Sequence, residues 1–166
     1  MRKLAVLVIA VVLLAACQKT EIVSQFTGNE TTYDLQQGSQ FAVSGTVIFK
    51  ERKDGMIVAV VSLSGTQGDI QHPVHLHLGT ISTVGADIAL LLNPVNAMTG
   101  KSETVFNRLA DESSINYQQL VRLPACVKIH LGDTGTDRDV VLAAGNIGAS
   151  LGNVGGRVGI SVCKSE

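Results

Sequence analysis

Three of the four histidines in the chain fall within six positions, in His72-Pro73-Val74-His75-Leu76-His77. A neutral imidazole ligates copper, zinc, nickel or iron through either ring nitrogen, and histidine is the side chain that changes charge near neutral pH. Read as a strand, the stretch alternates between two faces. Val74, Leu76 and Leu78 take one face, and His75 and His77 take the other, about 6–7 Å apart along the strand at the usual rise per residue. The fourth histidine, His130, stands in Val127-Lys128-Ile129-His130-Leu131. The same alternation sends Val127, Ile129 and Leu131 inward, and Lys128 and His130 outward. If the two strands are neighbours, three imidazoles converge on one outer face. With no cysteine nearby, such a set points to copper or zinc rather than to a hard ion held by carboxylates. His72 precedes Pro73 and breaks the strand parity, so either face is open to it, and it is a candidate fourth ligand. The same four residues also fit a solvated face, or a hydrogen-bonded imidazole network that holds no metal.

The elements that must position these histidines read as short strands. Phe41–Lys50 alternates, Lys53-Asp54-Gly55 marks a hairpin, and Met56–Leu63 is a second, Val-rich strand. Ser64 to Asp69 is a turn cluster, and the histidine strand follows at Pro73–Leu78. Gly79 to Gly85 reads as a loop. Ala86–Leu92 fits a strand or a helical turn, ended by Asn93-Pro94. Glu103–Leu109 reads as a strand, and Ser114–Leu123 as one or two helical turns. Cys126–Leu131 carries His130. Gly132 to Asp139 is a polar loop in which Asp133, Asp137, Arg138 and Asp139 read as solvated groups. Val140–Ala143 is short and apolar, Gly145 to Gly156 holds five glycines and reads as irregular, and Arg157–Cys163 is a last strand. Short strands at this spacing predict an all-β sandwich or barrel. With no Trp, two Tyr and four Phe, its core must be built from Val, Ile, Leu and Ala.

The ends of the chain carry a different signal. Met1-Arg2-Lys3 is basic, Leu4 to Leu14 is apolar, and small residues follow up to Cys17, the pattern of an export signal over residues 1–16. The apolar run is too short to span a bilayer securely. Leu14-Ala15-Ala16-Cys17 is similar to a bacterial lipobox, which implies a lipidated Cys17 as the new N-terminus. Gln18-Lys19-Thr20-Glu21 is similar to the short surface-export signals of Bacteroidetes lipoproteins. These resemblances imply a membrane partner through a lipid anchor and a place in the bacterial cell envelope, at the outer membrane. Residues 17–38 are polar and read as a tether, leaving 39–166 as one β domain. The chain has a net charge of −1, which becomes more negative once Arg2 and Lys3 leave, and it has no basic run, so nucleic acid is excluded as a partner. Two cysteines remain beyond the signal. In an exported chain, Cys126 and Cys163 favour one disulfide over two buried thiols.

Beyond these residue-level readings, His72-Pro73-Val74-His75-Leu76-His77 resembles the His-x-x-His-x-His strand of Cu/Zn superoxide dismutases. In that family the last two histidines bind copper and the first braces loops behind the site. Val127-Lys128-Ile129-His130 is similar to the family's later Val-Val-His strand, whose histidine is another copper ligand. Gly152-Asn153-Val154-Gly155-Gly156-Arg157 is similar to its Gly-Asn-Ala-Gly-Ser-Arg stretch, whose arginine guides superoxide. The resemblance implies a Greek-key sandwich or flattened barrel of about eight strands. It implies copper on His75, His77 and His130, with Arg157 holding the anion. Leu91, two residues before Asn93-Pro94, stands where the family has the histidine that bridges copper and zinc. No histidine lies between His77 and His130, so a zinc site of the family type is not expected. The cysteine of the family's loop disulfide is also missing, and a Cys126–Cys163 bridge would be a different, cross-strand link. CHRD-type domains offer a second resemblance, through a similar His-x-His-Leu-Gly strand and a later Val-x-Val-His strand. That likeness implies a β-sandwich of unassigned activity, and with it the alternative of a non-catalytic cell-envelope lipoprotein.

Overall fold

Period-two patterning becomes eight paired strands in a computed structural model of the chain, which describes residues 24–153 and 160–161. They are β1 (Phe26–Gln37), β2 (Ser44–Arg52), β3 (Ile57–Ser64), β4 (Gln71–Leu78), β5 (Ile88–Asn96), β6 (Lys101–Phe106), β7 (Ala125–His130) and β8 (Val141–Ile147). They close into one antiparallel barrel in the order β1-β2-β3-β6-β5-β4-β7-β8. β4, β5 and β6 follow one another as neighbours, and β7 then returns beside β4, which makes a Greek key. The return sets the two histidine strands side by side, with Val74 opposite Ile129, His75 opposite Lys128, Leu76 opposite Val127 and His77 opposite Cys126.

The inward positions fill the barrel. Val47, Phe49, Val61, Val74, Leu76, Val95, Val127 and Ile129 are all buried in one cluster, as the branched, Trp-free composition requires. Tyr33 meets Phe49 edge to face with ring centroids 6.0 Å apart. A short helix, α1 (Tyr117–Leu120), adds Tyr117 and Leu120 to the same core. It starts at Asn116 rather than at Ser114, because Asn116 and Gln119 form a reciprocal capping box. The Tyr117 hydroxyl stands 2.6 Å from Thr31 Oγ1 on β1.

Five local expectations are corrected. Residues 26–37, expected as the end of a tether, form β1. Its inward signal is confined to Tyr33 and Leu35, both buried, while the rest of the strand presents polar side chains outward, so composition alone suggests a linker. β5 does not stop at Asn93-Pro94 but runs to Asn96. Its pairing with β4 shifts between Val74–Leu92 and His72–Val95, and that bulge accommodates a proline with no N–H to donate. On its other side β5 meets β6 in register only at Asn96–Lys101. Asn93 bridges the gap, its N–H donating to Thr104 Oγ1 and its Nδ2 to the Glu103 carbonyl, each at 2.7 Å. The loop at 132–139 contains a helix, α2 (Gly135–Asp139), and β8 runs straight through Gly145 before a 3-10 turn at Gly148–Asn153. Leu78, expected in the core, is 42% exposed at the end of β4. Ile160 and Ser161 are the described part of the last expected strand. The export signal, Cys17, Arg157 and Cys163 lie outside the described residues.

The barrel closes where β1 meets β8, with Gln36 opposite Ala144 and Gln37 opposite Ala143. Gly145 permits this, since a Cβ there would lie 2.0 Å from the Asp34 carbonyl oxygen, a backbone atom that cannot swing aside. Gly145→Ala is therefore expected to cost about 1–3 kcal/mol, in the range for overpacked sites. Urea unfolding measures it, and an unchanged midpoint would mean that β1 is not held at this contact.

Candidate metal centre

The outer face of β4, β7 and β8 is not the solvated surface that alternation suggests. Every residue of β7 and of β8 is buried, on both faces of the wall. A second apolar cluster, Ile81, Cys126, Val141 and Ala144 with Ile160 against it, lies outside the barrel. It is covered by the loop that follows β4 and by Ile160–Ser161. Asn146 of β8 pins that loop through its Oδ1, which accepts the Ile81 N–H at 2.8 Å. The Ser161 N–H then donates to the Ile81 carbonyl at 2.9 Å, and its hydroxyl to the Ser82 carbonyl at 3.0 Å. Lys128, expected to reach solvent, is completely buried and donates to the Ser161 carbonyl.

His75, His77 and His130 come together on this outer face, all three buried. Each offers a ring nitrogen, and the three atoms lie within 4.8 Å of one another. Ring centroids are 4.7 Å apart for His75 and His130, 5.6 Å for His75 and His77, and 6.4 Å for His77 and His130. Two nitrogens on one zinc- or copper-sized ion stand roughly 3–4 Å apart, so modest ring rotations bring all three onto a shared ion. This buried three-histidine group could hold a metal ion.

Hydrogen bonds set the tautomers. His77 Nδ1 is 3.0 Å from the Ala86 carbonyl, and His130 Nδ1 is 2.6 Å from the Arg138 carbonyl. A carbonyl only accepts, so each Nδ1 carries the hydrogen and each lone pair sits on Nε2. His75 differs, because its buried Nδ1 has no hydrogen-bond partner among the described residues. An orphaned polar atom in such a place is costly unless something occupies its lone pair, and a metal ion would. The set fits one ion bound by His75 Nδ1, His77 Nε2 and His130 Nε2.

Electrostatics prepares the same state. Burial, then the charges of His130, His77 and Arg138, lowers His75 to about 3. Burial likewise lowers His130 to about 4, opposed by its bond to Arg138. His77 is lowered as well, first by burial. All three rings are neutral near pH 7, the form a metal requires.

His72, the candidate fourth ligand, stands outside this group. Plain alternation puts it with Val74 and Leu76 on the opposite side of the strand, where it lines a separate cleft of about 510 Å³ with Phe41, Ile70 and Leu131. Its Nδ1 lies 3.1 Å from the Leu131 carbonyl, a brace between β4 and the segment after β7. Leu91 stands directly opposite His75 across β4 and β5, so that position brings no further imidazole. Access comes by a cleft of about 270 Å³ lined by Pro73, His75, Leu91, Pro94 and Asp133. Asp133, Asp137 and Asp139 are exposed, as expected of a solvated loop. The Ala86 and Arg138 carbonyls that orient two rings carry no sequence signal, since every residue has a carbonyl. Neither a protein-family model, nor a curated protein, nor a solved structure matches the chain.

A buried histidine that stays neutral makes the fold acid-sensitive. The folded values lie below the ordinary 6.5, so between the two the unfolded chain binds more protons. Stability contributed by the neutral rings is complete above about pH 7 and is lost as pH falls from 6.5 towards 4. The unfolding temperature of the metal-free protein should be level from pH 8 to 7 and drop between 6.5 and 5, before most carboxylates titrate. A level profile over that lower window would contradict neutral, buried imidazoles.

Proposed function

We propose that the protein is a copper-binding β-barrel that turns over superoxide at a centre formed by His75, His77 and His130, held at the bacterial cell envelope by a lipid on Cys17. The observation that carries the reading is the orphaned Nδ1 of His75, buried between two imidazoles whose tautomers are fixed. Copper is favoured by an all-imidazole set, by its high place in the order of divalent affinities, and by the resemblance of both histidine strands to the copper strands of Cu/Zn superoxide dismutases. Copper held by His75, His77 and His130 would supply one-electron redox chemistry.

The chain's own residues do the rest. The Ala86 and Arg138 carbonyls hold two rings in place, and burial keeps all three neutral. The cleft beside His75 is wide enough for a diatomic anion and for water. Asp133 at that cleft offers the anion no attraction, so guidance falls to Arg157, as in the family it resembles. Leu91 in place of a bridging imidazole leaves water as the proton source for peroxide.

Leu91 also favours a second reading, in which the barrel holds copper without turnover, as a CHRD-like or storage lipoprotein. Metal analysis paired with a superoxide assay separates the two. One equivalent of copper with superoxide consumption supports the first reading, and one equivalent without consumption supports the second. His75→Ala and His130→Ala are each expected to weaken copper binding at least about tenfold, the lower end of what disturbing a ligand shell costs. Absence of copper binding in the unaltered protein would overturn both. Incorporation of a labelled fatty acid, lost in Cys17→Ser, tests the anchor.

A further inference from the structure

One buried group has no part in the centre as described so far. Lys128 lies on β7 between Cys126 and His130, and it is completely buried. Its cross-strand partner is His75 on β4 and Ala144 on β8, so its side chain shares the face of the three imidazoles. Among the described residues no carboxylate pairs with it; the ion pairs there are Lys50–Glu30 and Arg52–Asp54. Its ammonium donates to a neutral acceptor, the Ser161 carbonyl. Valine or methionine would fill such a site without the cost of burying a charge. The lysine does not line the cleft that reaches His75, so it is not a landing point for an incoming anion.

Its charge reaches the ligands. It stands cross-strand from His75 and two positions before His130, on the face of the three rings. A metal ion among those rings meets the same field, and the penalty scales with the ion's own charge. Every ligand is a neutral imidazole, and the group contains no thiolate or carboxylate to offset it.

We propose that Lys128 is a charge-selecting residue of the centre, whose fixed ammonium biases the three imidazoles towards monovalent copper over divalent zinc or cupric ion. The proposal rests on the metal-binding reading and adds to it a preference between ions. A divalent ion is penalised twice as heavily as a monovalent one, and the bound copper is poised towards its reduced form.

Competition against chelators tests this, with Cu(I) under anaerobic reducing conditions and Zn(II) separately. The ratio of Cu(I) to Zn(II) affinity should fall about tenfold or more in Lys128→Met, from one unit charge removed at cross-strand distance in a medium of intermediate dielectric. Lys128→Gln, which keeps a donor for Ser161 without the charge, should give the same fall, and Lys128→Arg should retain the original ratio. A ratio unchanged within twofold in Lys128→Met, or kept in Lys128→Gln, would overturn the proposal and leave Lys128 a strut for Ser161. Failure of the underlying metal reading looks different, since the unaltered protein would then bind neither ion and His130→Ala would change nothing.

Discussion

The antiparallel pairing of β4 with β7 is the constraint on which the rest of the molecule depends. The strands are separated by two others in the chain and are brought together only because β7 skips back past β5 and β6. With His75 set opposite Lys128, and His77 opposite Cys126, His130 falls one step further along the same face. A slip of one residue would turn β7 over, sending His130 and Lys128 into the apolar core and Ile129 out among the histidines. The inward row of Val74, Leu76, Val127 and Ile129 makes that slip prohibitively unfavourable. The hydrophobic interior thereby holds the register of a polar site that it never touches.

The covered outer face gives the site its chemistry. Exposed on a solvated sheet, three imidazoles would titrate near their ordinary value and compete with water for any ion. Buried on this wall, they are neutral near pH 7. The cover also traps a cation, which a solvated face would simply hydrate. Burial on this side of the wall is achieved with few apolar residues, Ile81, Val141, Ala144 and Ile160 among them, and with side-chain bonds from Asn146 and Ser161. Asn146, Lys128 and Ser161 are all hydrogen-bonded there, as a buried wall requires, and His75 Nδ1 is the exception.

Much of this was legible in the residues. The all-β architecture and the shared outward direction of His75, His77 and His130 follow from alternation with a period of two, whereas their meeting also requires β4 and β7 to be neighbours. β1 was not legible, because only Tyr33 and Leu35 face the core and its outward residues match those of a linker. Pro94 reads as a stop only if the bulge that removes the need for its N–H is unknown. His72 stayed ambiguous because Pro73 reads as a break in an alternation that in fact runs on through it, with His72 on the side of Val74. The burial of Lys128 was beyond reach of the local pattern, because the carbonyl that receives its ammonium lies 33 positions away. Outward does not mean wet when a distant segment folds over the sheet.

The loop between β4 and β5 joins two tasks in one short piece of chain. Through Ile81 it is latched to Asn146 and roofs the outer wall, and through the Ala86 carbonyl it dictates which nitrogen of His77 bears the proton. Closing the roof and selecting the tautomer are thus one event. A ring whose loop has lifted can place its hydrogen on either nitrogen and is only half prepared for an ion, whereas the closed loop presents a single option. Any ion that binds preferentially to the prepared ring also favours the closed loop, by the reciprocity of linked equilibria. The latch at Asn146, which makes no contact with the imidazole itself, belongs energetically to the affinity of the centre.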